Sequence, residues 1–181
     1  MKTNPRSTTR SLVLAALFLA LAFVLPMITG HVPQVGNMLC PMHFPILLCG
    51  FVLGGPWGLA VGFIAPLVRS VLFGMPPMFP IAISMAFELA AYGFVTGFLY
   101  RRLPKNPGGI YASLIGAMVC GRAVWGVVRA LMTLAGNNTF SFAAFIAGAF
   151  TTAIPGIVFQ LAVIPALVLA LQKAKLVPQA V

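Results

Sequence analysis

Residues 81–100 read IAISMAFELAAYGFVTGFLY, and residues 101–109 read RRLPKNPGG. The first stretch is apolar and small apart from one charge, Glu88. The second is a polar break carrying Arg101, Arg102 and Lys105. A helix rises 1.5 Å per residue, so such a run reaches about 30 Å, the thickness of a bilayer's hydrocarbon core. An apolar run ending in a cluster of Lys and Arg reads as a transmembrane helix with its basic end on the cytoplasmic side.

The same pattern extends in both directions. Lys2, Arg6 and Arg10 precede an apolar run at 11–28, and Lys173 and Lys175 follow one at 140–171. The connectors at 29–43, 74–80 and 135–139 hold no Lys or Arg. The N-terminus, the 101–109 loop and the C-terminus are therefore expected in the cytoplasm, and the other three connectors outside. The expected architecture is all-α: one transmembrane domain over 1–181, with six segments near 11–28, 44–55, 57–73, 80–100, 110–134 and 140–171. Ala20-Leu21-Ala22 resembles a signal-peptide cleavage triplet but lies inside the first run, which reads as a retained helix. Gly54-Gly55-Pro56 breaks the second segment from the third. Both are short, so they are either two compact helices or a re-entrant hairpin, with the same topology downstream. Pro155 and Pro165 predict a tilted or kinked last span.

Composition supports the membrane reading and excludes much chemistry. Of the 181 residues, 61% are hydrophobic and 7% charged, against about 25% charged in ordinary soluble domains. A soluble fold of this size could not hide that much apolar surface. The formal charge of +10 sits at span ends rather than along a soluble face, so no nucleic acid is expected. One acid in the whole chain leaves no carboxylate pair for hydrolysis. No GxxxxGK[ST] sequence is present to hold ATP. No enzyme activity, cofactor or metal is expected. Cys40, Cys49 and Cys120 lack metal-ligand spacing and read as small residues of a packed interior.

The charges inside apolar segments carry the functional signal. Glu88, Arg69, Arg122 and Arg129 each cost several kcal/mol in hydrocarbon unless a partner or a cavity meets them. One carboxylate cannot neutralise three guanidinium groups, so an anionic ligand is the natural complement of the remainder. Tyr92 follows Glu88 by one turn, and Trp125 shares a helix face with Arg122 and Arg129. Aromatic rings beside guanidinium groups suit a ligand with a flat or apolar part. Asn37, His43, Asn137 and Asn138 are placed as a polar roof from the outer connectors, although turn chemistry alone accounts for the asparagines. His31 and His43 read as solvated loop residues too isolated for a metal. Ala16 and Ala20, four apart, allow a second helix to approach closely.

The order of several stretches resembles a known family. A basic N-terminus leads into Ala16-Leu17-Phe18-Leu19-Ala20. Then come Pro41-Met42-His43-Phe44-Pro45, Gly50 to Gly58 (GFVLGGPWG), and Phe87-Glu88-Leu89-Ala90-Ala91-Tyr92-Gly93. Nearly the whole chain resembles the S components of energy-coupling factor (ECF) transporters, the substrate-binding membrane subunits of bacterial vitamin importers. The resemblance implies six helices with both termini cytoplasmic, in the cell membrane. It implies a vitamin pocket opening outward, built from helices four to six and the outer loops. It also implies a transmembrane coupling subunit and two ATPase subunits as partners, with Ala16 and Ala20 as the docking face. The arginine excess favours an anionic vitamin, with pantothenate first and folate or a phosphorylated vitamin behind. A stand-alone proton-coupled carrier or channel for a small anion, with Glu88 as its proton site, is the alternative.

Overall fold

The computed structural model describes residues 5–29, 40–134, 154–175 and 177. Among them every regular element is helical: α1 (Pro5–Thr29), α2 (His43–Leu53), α3 (Gly55–Phe73), α4 (Ile83–Arg102), α5 (Pro107–Leu134) and α6 (Ile154–Lys173). A single π turn, Met78–Ala82, kinked at Phe79, leads into α4. Five helices are long and apolar enough to cross a membrane, and α2, with 11 residues, is not. In the 44–73 region a short α2 meets a 19-residue α3 at a sharp break. Residues 140–153 of the expected last span lie outside the described residues; its described part starts at Ile154.

The break is at Gly54, whose φ of +94° is a left-handed value that glycine adopts without a Cβ clash. Arg101 lies over it, and its Nη2 donates to the Leu53 carbonyl at 3.1 Å. Contacts along α4 fix the direction of both helices. His43, Gly50 and Phe51 of α2 meet Tyr92, Gly93 and Tyr100 in turn, so α2 runs parallel to α4. Gly55, Gly58 and Gly62 of α3 meet Phe94, Gly93 and Leu89, so α3 runs antiparallel to it. At 1.5 Å per residue α2 covers only about 16 Å, from the level of Tyr92 down to Arg101.

Glycines make this packing possible. A Cβ on Gly58 or Gly93 would meet the other's backbone well inside contact distance, and one on Gly62 would strike the Leu89 carbonyl. With no hydrophobic drive between helices in lipid, close backbone approach and dispersion supply the association. On the other side of α4, Gly121 of α5 faces the Tyr92 ring and the Glu88 carbonyl.

The Arg101 end is closed by polar bonds. Gln172 of α6 donates from Nε2 to the Tyr100 hydroxyl at 2.7 Å and to the Lys105 carbonyl at 3.1 Å. Lys105 donates to the carbonyls of Tyr100 and Leu103, and burial holds its ammonium below the usual lysine pKa. Asn106 Oδ1 accepts from Gly109 N at 2.8 Å and so caps the start of α5. On α1, Ala15, Phe18 and Ala22 face the core, while Ala16, Leu17 and Ala20 are exposed.

Gly93→Ala should destabilise the bundle by several kcal/mol, since the clash is backbone against backbone and overpacking of side chains alone costs about 1–3 kcal/mol. Gly116→Ala meets only a methyl of Leu99 and should stay close to wild type. Thermal unfolding of the two variants in detergent measures the difference; equal melting temperatures would contradict the glycine seam.

Candidate functional site

The site grows from Glu88. Its carboxylate is 2% exposed, on the face of α4 that also buries Tyr92. Gly121 lets the α5 backbone sit against Tyr92 and Glu88, which delivers the next residue, Arg122, to the carboxylate. Arg122 Nη1 lies 2.9 Å from Glu88 Oε1. This is an ion pair by distance, but the N–H is not aimed well enough along that line to make a hydrogen bond.

A third helix contributes His43. A turn at Cys40, with φ of +47°, starts α2, and His43 N donates to the Cys40 carbonyl at 3.0 Å. The imidazole stands edge-on to the Tyr92 ring, centroids 5.2 Å apart, and its Nε2 is 3.7 Å from Glu88 Oε1. Cys40 and Tyr92 border the Arg122 guanidinium. The expectation of a solvated loop histidine is corrected: His43 is 4% exposed and lies inside the bundle, because α2 begins at the depth of Glu88 rather than at the membrane surface.

Arg129 lies two turns beyond Arg122 on the same face of α5. Its guanidinium sits 5.9 Å from the centre of the Trp125 ring, and among the described residues it has no carboxylate partner. The α5 face is buried from Gly109 to Gly121 and only half-buried from Arg122 to Ala130. This half-buried stretch begins at the level where α2 begins.

Other expected residues fall elsewhere. Arg69 is engaged with α1, not with Glu88: its Nη1 donates to the Phe23 carbonyl at 2.9 Å, and its charge lies over the Phe73 ring. Asn37, Asn137, Asn138 and His31 lie outside the described residues. The cysteines do not share one environment: Cys49 is buried, Cys40 half-buried beside Arg122, and Cys120 exposed, which corrects the packed-interior reading for two of the three. Cys40 was missed as a neighbour of the charged pair, and nothing in its sequence context marks it. Gln160 is buried in α6. A separate cavity of about 270 Å³ between α1, α2 and α6 is lined by apolar residues such as Leu25, Phe44 and Phe159.

The family model described as ECF transporter, substrate-specific component, matches residues 10–168. The chain belongs to this family. Among curated proteins and solved structures, none matches it. An S component is a transporter subunit, and the family associates with the membrane and ATPase subunits of an ECF module. The helical bundle with its apolar exterior is the membrane body such a subunit requires.

Arg122→Ala leaves Glu88 buried without its ion partner, and losing one member of such a pair costs about 3–5 kcal/mol. The variant should melt well below wild type in detergent. Replacing both, as in Glu88→Gln with Arg122→Met, should recover much of that loss. A double variant no more stable than Arg122→Ala would mean that the pair is not what holds these helices together.

Proposed function

We propose that this S component captures a small anionic vitamin, pantothenate being the first candidate, in a cleft beside Arg129 and Trp125. The observation that carries the reading is the placement of charge. Glu88, the sole acidic residue, is taken by Arg122, which leaves Arg129 half-buried beside an aromatic ring. A guanidinium in that position is completed by a carboxylate or phosphate that its planar fork can grip with two bonds. Trp125 offers the apolar part of the ligand a flat surface. Asn37 and Asn137 belong to connectors at the same end of the chain's spans and are assigned to the ligand's polar rim.

The orientation follows from the basic flanks. The Arg101–Lys105 end and both termini face the cytoplasm, and the cleft opens outward, where a scarce nutrient is met. Ala16 and Ala20, exposed on α1, form the docking face for the coupling subunit. Two ATPase subunits bound to that partner supply the energy for uptake.

Arg129→Ala should weaken pantothenate binding by the worth of one charged hydrogen-bonded contact, about 1.5–3 kcal/mol, or roughly tenfold to more than a hundredfold in Kd. Arg129→Lys should recover little, and neither variant should shift the melting temperature much. Calorimetric titration in detergent measures this; unchanged affinity in Arg129→Ala would remove the anionic reading.

Ala16→Trp should abolish uptake in cells carrying the whole ECF module while leaving binding by the isolated subunit within about twofold, since a bulky ring blocks close helix approach without touching the cleft. Equal loss of binding in the isolated subunit would show that Ala16 serves the core instead.

A further inference from the structure

Four buried polar atoms around Glu88 have no hydrogen-bond partner: Glu88 Oε1, Arg122 Nε, and both ring nitrogens of His43. They come from α4, α5 and α2, and Glu88 and His43 are more than nine-tenths buried. Buried polar groups are satisfied in the great majority of cases, and each one left unpaired is costly. Four such atoms converging from three helices make a polar cluster that a ligand group can complete.

The chemistry of that occupant can be read from the atoms. Glu88 and Arg122 cancel each other's charge, so a further full charge gains little there. Glu88 Oε1 accepts, Arg122 Nε–H donates, and a neutral imidazole does one of each at its two nitrogens. The complement is a neutral group that both donates and accepts, such as a hydroxyl or an amide. Seven residues separate Arg122 from Arg129, which places the two guanidinium-bearing turns about 10 Å apart along the same face.

We infer that the His43–Glu88–Arg122 cluster is a second, charge-neutral subsite that receives the hydroxyl- or amide-bearing arm of the same ligand whose anionic end meets Arg129. The inference rests on the Arg129 reading above and adds to it a second requirement about 10 Å away. It makes His43 a specificity-determining residue. A ligand with the right anion and an apolar tail leaves the four atoms unpaired and is rejected on that account, as sites built to bind a hydroxyl or amide reject analogues that lack it.

The test uses two carboxylates of comparable length, pantothenate and octanoate, of which only the first carries an amide and hydroxyls. Both are titrated into the full-length subunit in detergent. Wild type should bind pantothenate at least tenfold more tightly than octanoate. His43→Phe keeps the ring packed against Tyr92 but removes its polar atoms, and should lose most of that discrimination through weaker pantothenate binding, with octanoate unchanged. Glu88→Gln is the second variant, and its melting temperature separates loss of contact from loss of fold. Arg129→Ala should weaken both carboxylates by a similar factor. Equal binding of the two by wild type, or discrimination that survives in His43→Phe, would overturn the neutral subsite while leaving the Arg129 reading intact. Binding of neither carboxylate would overturn both.

Discussion

One carboxylate among eleven lysines and arginines is the constraint around which the interior of this molecule is arranged. In hydrocarbon a charge needs a partner, and one carboxylate cannot neutralise three guanidinium groups. Arg122 takes it, and the other two intramembrane arginines have to be accommodated differently. Arg69 is absorbed by a backbone carbonyl of α1 and the face of Phe73. Arg129 lies beside the Trp125 ring. The same scarcity of acid therefore leaves the three arginines in three settings: an ion pair, a backbone tether and an aromatic face.

The pairing depends in turn on the absence of side chains. Gly121 brings α5 against Glu88 and Tyr92, and the Gly58–Gly93 contact brings α3 onto the opposite side of α4 at backbone distance. α4 is thus the central helix, held from both sides without large residues in between. A long side chain at Gly121 would push α5 outward and carry Arg122 away from its carboxylate. In this bundle the small residues set the electrostatics.

Much of the fold was legible in the sequence because spans are written in length and hydropathy, and their ends in charge and glycine. The break at Gly54, the basic stop at Arg101 and the buried face shared by Glu88 and Tyr92 all follow from local rules. The site was legible only in its ingredients. Which arginine meets Glu88 depends on how α5 is rotated against α4, and that is set by Gly121, a residue with nothing in its own sequence context to mark it. His43 was misread because a histidine in a polar stretch looks like a loop residue. It is interior because α2 is short and begins deep in the bundle, a tertiary property that no local pattern carries. Arg69 was misplaced for a similar reason, since its acceptor is 46 residues away on another helix.

The closed end formed by Gln172, Tyr100 and Lys105 has a consequence for permeability. Above it the interior is filled by fully buried side chains, among them Phe51, Ile110, Leu114 and Val168. At this end the described bundle therefore has a solid base. A packed apolar base of this kind opposes the passage of an ion, because a bare charge is costly there. Passage through this end demands that these bonds part and the packed side chains move aside.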